Sequence, residues 1–575
     1  MKGKHSPVHV ATIRRKYKDK VYECHLLRRT TRVGGKVLNE TVANLSHLPN
    51  DVIELIKLAL SGQKLVPASE AVQTKGSLPA GHVRAVLGTM QKLGIADLLS
   101  SRSCRERDLV LAAIAERILD PASKLGTVRL WQTSTLASEL GVGDAEVDEL
   151  YGALDWLLER QSRIETKLAE RHLNEGCLAL YDASNSLYEG RTCSLAQHGH
   201  DKDGRRGATV ISYGLLTDRD GRPVAMDVYP GNTGDATTVP NQISKLRERF
   251  GLEHVVLVGD RGMLTNSKIE HLRKHPGLGW ISALRSDAIR KLVAGEVLQL
   301  SLFDEVNLAE IHSPDFPGER LVACFNPLLA DERKRKRNDL LDATEKLLTK
   351  IAVEVAGRTN KPLSAGEIGQ KVGRVLYRHK MAKHFRVVIK DGSLKWTRDI
   401  EGIRLEADLD GIYVIRTSEP AARLSAEDTV RGYKLLAQVE QGFRCMKGID
   451  LRVRPIYHRD EDRVRAHFFL CMLAYYVEWH MRRSLAPLLF QDETLVTDRA
   501  TRDPVAKPIP TPSVKAKKKT KQTADGLPVQ SFHSLIMALS TQARVTYSLG
   551  NAQATFDQLS TATPLQQRAF ELLDL

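Results

Sequence analysis

Asp182 closes the apolar run "CLALYD", and Asp260 closes a second one, "VVLVGD". Both runs read as buried strands, and in an α/β sheet ligands gather at the carboxyl ends of strands. If the two strands are neighbours, the carboxylates lie a few ångströms apart. Two such groups repel, so a proton or a cation must neutralise them. Hard oxygen ligands on short loops select Mg2+ or Mn2+ rather than zinc. A third acid comes from "SAEDTVRGYKLLAQVEQGFRCMKGIDL", where Tyr433, Glu440, Arg444 and Lys447 stand at −7, 0, +4 and +7. Those offsets place all four on one helical face. Such a stripe makes a poor hydrophobic core and a sensible track for metal and phosphate. Glu440 is the candidate metal ligand. Arg444 and Lys447 would hold phosphate oxygens, and Tyr433 would donate its hydroxyl to another. The plainer reading makes Asp182 a turn cap in "DASN", Asp260 a turn residue before Arg261-Gly262, and Glu440 a surface helix residue.

The elements that must position these residues follow from periodicity. Residues 174–289 alternate strand, hairpin, helix, strand, helix and strand, the pattern of an α/β fold with a mixed sheet. Residues 290–424 interrupt it with a long helix and strands around Asp-Gly turns, an inserted α+β, β-rich module. The α/β pattern resumes over 425–485, where Ser425 is an N-cap and Glu427 and Asp428 suit a first turn. Residues 75–173 carry helical spacing and suit DNA binding or dimerisation. Residues 1–60 form a basic N-terminal β-meander, with eleven Lys or Arg against two acids in the first 36 residues. Residues 486–575 read as a basic linker and C-terminal tail.

A chain of 575 residues needs more than one core. Its net charge of +15 favours polyanions, nucleic acid above all. Seven cysteines without a C-x-x-C argue against a zinc ribbon and for reduced thiols. The first residues lack the apolar stretch of a signal peptide, and no 18-residue apolar run occurs. A soluble, intracellular protein without a membrane partner is therefore expected. The loop "QHGHDKDGRRG" offers His198, His200, Asp201 and Asp203, but not in a zinc frame. Its Arg205 and Arg206, and Arg452 and Arg454 after the acidic helix, are candidates for contact with nucleic-acid phosphate. Arg333 to Arg337 reads as a solvated helix start, and His467 as a hydrogen-bonded core histidine.

The set resembles the DDE transposases of bacterial insertion sequences, in the branch whose third acid lies in a Tyr-x2-Arg-x3-Glu-x6-Lys signature. Tyr433, Glu440 and Lys447 match at that spacing, and Leu436 stands at the arginine position. Arg444, one turn beyond Glu440, is an alternative source of the guanidinium. "YDASNSLYEG", "VGDRGMLT", "GLLTDRDGRPVAMDVYPGNTGD" and "DLDGIYVIRTS" resemble further family segments, so the likeness spans about Asp182 to Tyr476. It implies a ribonuclease-H-like mixed sheet core interrupted by a β-rich insertion. It implies two divalent ions, Mg2+ or Mn2+, held by Asp182, Asp260 and Glu440. It implies cleavage at transposon ends and 3′-hydroxyl strand transfer. The partners would be double-stranded DNA, both terminal inverted repeats and target, with a homodimer on paired ends. The place of action would be the bacterial cytoplasm, at the nucleoid. Trp396 becomes a candidate for stacking an extruded base. Two other readings are a catalytically inactive DNA-binding regulator and a ribonuclease-H-like nuclease without strand transfer.

Overall fold

The computed structural model describes residues 8–18, 20–33, 35–63, 72–199, 202, 204, 207–494, 502–506, 509–549 and 554–575. Arg205 and Arg206, with His200, Asp201 and Asp203, lie outside the described residues. The chain divides into two compact units, one of residues up to 77 with 544–560, the other of 78–543 with 561–575. No helix among the described residues is long and apolar enough to cross a membrane.

In the first unit, β1 (Val8–Tyr17), β2 (Lys20–Val33) and β3 (Lys36–Asn44) form an antiparallel meander. Its register sets Arg14 opposite Glu23, and Arg14 Nε donates to the Glu23 carboxylate at 2.6 Å. Arg14, Arg15 and Lys16 are exposed. β4 (Val72–Pro79) belongs to a second sheet, whose other strands come from the far end of the chain.

The second unit holds a mixed α/β architecture. β5 (Cys177–Leu187), β7 (Thr209–Thr217), β8 (Pro223–Pro230), β9 (Val255–Val258) and β10 (Leu278–Ala283) fall where strand periodicity predicts them, whereas β6 (Gln197–His198) is a two-residue strand in a stretch that reads as a loop. The order β8-β7-β5-β9-β10 is antiparallel as far as β5, and then parallel from β5 to β9 to β10. β9 is buried along its whole length, which is why it reads as an unbroken apolar run rather than an alternating one. Helix Glu461–Ser484 is apolar nearly all round, and fifteen of its residues are buried. It packs on β8 and on helices Arg105–Leu119 and Val147–Glu159. The helices of 81–172 therefore share one hydrophobic core with the sheet and build no separate one.

Two boundaries differ from expectation. β11 (Leu308–Ile311), β12 (Arg320–Phe325) and β15 (Ile412–Thr417) continue the sheet beyond β10, in the order β11-β12-β15-β10. β12 and β15 are buried along most of their length, as strands inside a covered sheet are. The part with a core of its own is narrower. It comprises helices Pro327–Gly357 and Ala365–His379 and the hairpin of β13 (Phe385–Lys390) and β14 (Ser393–Arg398). Arg337 is not solvated there, because both guanidinium Nη atoms bond the Asp410 carboxylate, at 2.9 and 2.5 Å. The C-terminal stretch is also not a loose tail. Helix Phe532–Ser540 buries Phe532, Leu535, Ile536 and Leu539, and helix Pro564–Leu572 buries Ala569 and Phe570. Within the first unit, β16 (Ala543–Leu549) and β17 (Thr555–Leu559) form a sheet with β4. Lys517, in the stretch that reads as a basic linker, is buried, and its ammonium donates to the carbonyls of Ala486 and Leu489 and pairs with Glu493.

Candidate active site

The parallel pairing of β5 with β9 sets Leu180 opposite Val258. Two residues further along each chain stand Asp182 and Asp260, which are therefore level. Because side chains alternate, both point to the same side of the sheet. Asp182 lies inside β5, which runs on to Leu187 against β7, rather than at the strand's end. Asp260 opens a turn, and its carbonyl accepts from the N–H groups of Met263 and Leu264, at 2.9 and 3.0 Å.

The third element is two helices rather than one. Ala426–Lys434 and Leu436–Lys447 meet at Leu435. Leu435 keeps helical angles, φ −64° and ψ −17°, so the stripe from Tyr433 to Glu440 survives the break. Ser425 caps the first helix, its hydroxyl accepting from Asp428 N–H at 3.0 Å. The Tyr433 hydroxyl donates to Asp260 Oδ1 at 3.1 Å. Burial and the Asp260 charge hold that phenol well above its ordinary range, so it stays a donor.

A cavity of about 310 Å³ gathers Asp182, Asp260, Glu440 and Tyr433. It also collects residues that no periodicity announced. Asp235, just after the turn that ends β8, adds a fourth carboxylate, and Lys202 adds an ammonium. Lys202 Nζ pairs with Asp235 Oδ2 at 3.1 Å and donates to the Ala183 carbonyl at 2.5 Å. Leu436 lines the same cavity, where the family signature would put an arginine. Lys434 is engaged elsewhere, donating to the carbonyls of Val505 and Ala506 at 3.0 and 3.1 Å.

The remaining candidates are placed as follows. Arg444 pairs with Glu440 at 3.7 Å, both side chains being exposed, and reaches the edge of a neighbouring cavity. Lys447 sits over the ring of Tyr213, 5.9 Å from its centre. Arg452 and Arg454 line a separate cavity. Trp396 is half-buried in the inserted part, edge-on to Phe385 at 5.9 Å, because its cross-strand position on β14 turns it toward that small core. His467 is buried, with its ring bonded at both nitrogens. Cys445, Asp450 and Glu478 also come within 4.8 Å of one another. Arg482 fills that place with its own charge, bonding Asp450 at 2.8 Å and Glu478 at 2.5 Å.

The Asp182 carboxyl is pushed up to about 6, chiefly by burial, with Asp235 and Asp260 adding repulsion. The Lys202 ammonium and the Ala183 N–H pull the other way without cancelling it. The donor set is thus all oxygen, rich in negative charge and short of cations, which fits a hard divalent ion. Without metal, the folded chain holds the Asp182 proton more tightly than the unfolded chain, whose value is near 3.8. The folded state then binds more protons across that window, and stability falls as pH rises through it. The cost is complete above about pH 6 and absent below the unfolded value. In EDTA near pH 8, Asp182→Asn is expected to be more stable than wild type by about 2 kcal/mol, allowing for solvent at the cavity mouth. The gain should vanish near pH 4. Thermal melts of both proteins at the two pH values check this, and an equal gain at both would remove the buried charge as its cause.

Residues 176–477 match the family model described as Transposase DDE domain. The chain belongs to this family: it is a DDE transposase, an enzyme class that cleaves DNA and transfers its strands, generally with divalent metal ions. Residues 10–71 match a second model, described as IS1634 family transposase, N-terminal domain, which sets the chain among the transposases of bacterial insertion sequences. No curated protein matches it. Among solved structures, it is similar to the cryo-EM structure of the piggyBac transposase synaptic complex with hairpin DNA. The identity is 9% and the TM-score 0.32, over 80% of this chain and 76% of that one.

Proposed function

We propose that Asp182, Asp260 and Glu440 form the metal-binding centre of a cut-and-paste transposase that cleaves DNA at its element's ends and joins the freed 3′-hydroxyl to target DNA. The observation that carries this reading is the β5–β9 register, which levels the two aspartates beneath the helix that bears Glu440. The strand order β8-β7-β5-β9-β10, three antiparallel strands followed by two parallel to β5, supports a ribonuclease-H-like core. The sheet of that core runs on through β11, β12 and β15, and the insertion with a core of its own is the narrower part built from helices Pro327–Gly357 and Ala365–His379 and the β13–β14 hairpin.

Bound at these carboxylates, two Mg2+ or Mn2+ ions would activate the attacking oxygen and neutralise charge on the leaving oxygen. The protein's own groups position the reactants around them. Tyr433 fixes the Asp260 carboxylate through its hydroxyl. Lys202 balances Asp235 and leaves Asp182 and Asp260 for the ions. Arg444 and Lys447, further along the Glu440 helix, hold the DNA strand by its phosphates. Leu436 carries no charge, so that point of the signature supplies no cation here, and Lys202 lines the same cavity while paired with Asp235. The partner is double-stranded DNA, engaged by a homodimer that holds two ends, in the cytoplasm.

Purified protein incubated with labelled duplexes carrying the two boundaries of its coding region should cut at one defined nucleotide in Mg2+ or Mn2+. EDTA should abolish the cut. Tight binding without cleavage in either metal would favour the inactive regulator instead, and cleavage without joining to a target plasmid would favour a nuclease.

A further inference from the structure

A second cavity, of about 510 Å³, is lined by the end of helix Arg105–Leu119, by the turn after it and by the loop 452–460. Six cations line it: Arg117, Lys124, Arg452, Arg454, Arg459 and Arg463. One carboxylate lines it too, that of Asp460, which already caps helix Glu461–Ser484. It accepts from the N–H groups of Asp462 and Arg463, at 2.8 and 3.2 Å.

Two of the cations are removed from water. Arg117 is 5% exposed and Lys124 is 4% exposed. Arg117 donates to the Ala122 carbonyl at 3.1 Å. Lys124 bonds His467 Nδ1 at 3.2 Å, and His467 Nε2 bonds the Val453 carbonyl at 3.0 Å. The carbonyl can only accept, so Nε2 carries the proton, Nδ1 is the acceptor, and Lys124 is the donor. These are neutral partners. Glu116, beside Arg117, supplies no counter-charge at neutral pH, since burial pushes its carboxyl up to about 8. The groups inside feel a positive field. Burial first, then Arg117, brings the Lys124 ammonium down to about 7, and His458 and His467 are both depressed, with Lys124 and Arg117 adding to burial. Burial thus costs the Arg117 guanidinium its solvation and holds Lys124 only partly charged, and an anion from outside would offset the first and restore the second.

The cavity is tied to the carboxylate centre by the strand that carries Asp182. Tyr188, just past β5, pairs with Ile456, and Glu189 N–H donates to the Ile456 carbonyl at 3.1 Å. The Tyr188 hydroxyl donates to the His458 carbonyl, also at 3.1 Å. Tyr188 lies six residues beyond Asp182, which is roughly 20 Å at the rise of an extended strand. Along duplex DNA that distance is about six base pairs.

We propose that this cavity is a phosphate-binding pocket that grips the DNA backbone about six base pairs from the scissile bond and so sets the substrate's register on the carboxylates. The distance rests on the reading of Asp182, Asp260 and Glu440 as the cleavage centre. Guanidinium forks and an ammonium suit the several oxygens of a phosphate.

The test walks a single uncharged methylphosphonate along an end duplex and measures binding to the full-length protein in EDTA. Wild type is expected to lose about tenfold in affinity at one position near six base pairs from the cut. Lys124→Met and Arg459→Gln should bind the unmodified duplex about tenfold less tightly, with a salt slope smaller by about one, and lose nothing further at that position. Arg459 is at the surface, so its variant guards against misfolding of the buried one. Variants that bind every duplex as wild type does would overturn the pocket. So would a melting temperature raised by inorganic phosphate in wild type alone while DNA binding stays equal, since the pocket would then take a free anion. A wild type that shows the methylphosphonate effect but cuts nowhere would sink the cleavage centre and leave the phosphate pocket standing.

Discussion

Asp182→Asn, Asp260→Asn and Glu440→Gln are each expected to lower DNA cleavage at least about a thousandfold, while binding of end DNA stays within about twofold. Each substitution keeps the side chain's size and removes its charge. A divalent ion that loses one anionic ligand binds more weakly and neutralises less charge on the reacting phosphate. The lost stabilisation, roughly 4 kcal/mol, corresponds to that factor. Binding should survive because the groups assigned to the DNA backbone lie elsewhere, on Arg444, Lys447 and the cationic cavity. The check is single-turnover cleavage on a denaturing gel beside fluorescence anisotropy with the same duplex. Full cleavage by any one variant removes that residue from the centre. Loss of both cleavage and binding would point to misfolding, which the expected stability gain of Asp182→Asn in EDTA would rule out for that variant.

The three acids were legible for different physical reasons. Asp182 and Asp260 each follow an apolar run, and the runs are apolar because β5 and β9 sit side by side inside the sheet, covered on both faces. Glu440 was legible from helical spacing, which persists through the break at Leu435 because that residue keeps helical angles. Asp235 and Lys202 were not legible. Each lies in a polar stretch without periodicity, "GNTGDATT" and "HDKDG", so no local pattern announces that it lines the cavity. The second cavity joins Arg117 and Lys124 to residues more than 300 positions away, a pairing that no local pattern carries. The C-terminal helices were obscured by composition. Pro504, Pro510 and Pro512 and the lysines after them suggest a linker, whereas the apolar stripe of Phe532, Leu535, Ile536 and Leu539 is short and overcomes that bias only by packing into the main core.

Glu165→Ala is expected to destabilise the protein by about 3–5 kcal/mol, the cost of stranding buried charges. Glu165 is completely buried on helix Gln161–His172. Its carboxylate accepts from Gln161 Nε2 at 2.8 Å and from Met226 N–H on β8 at 3.0 Å. It pairs with Lys245 at 3.4 Å and with Arg249. Lys245 in turn bonds Asp227 at 2.6 Å, and Gln242 bonds the same carboxylate at 2.7 Å. The network thus pins one helix of the upstream region to β8 and to the segment 239–249. Asp235 lies between those last two elements, so the network also sets the frame for one wall of the carboxylate cavity. Removing Glu165 leaves Lys245 buried with half its negative partners and leaves the Met226 N–H without an acceptor. The urea midpoint of the core's unfolding transition, followed by fluorescence, should fall well below that of wild type. Glu170→Ala, on an exposed position of the same helix, should stay within about 0.5 kcal/mol. Equal midpoints for the two variants would mean that the ionic network does not hold the core, and that apolar packing alone fixes β8 beside the cavity.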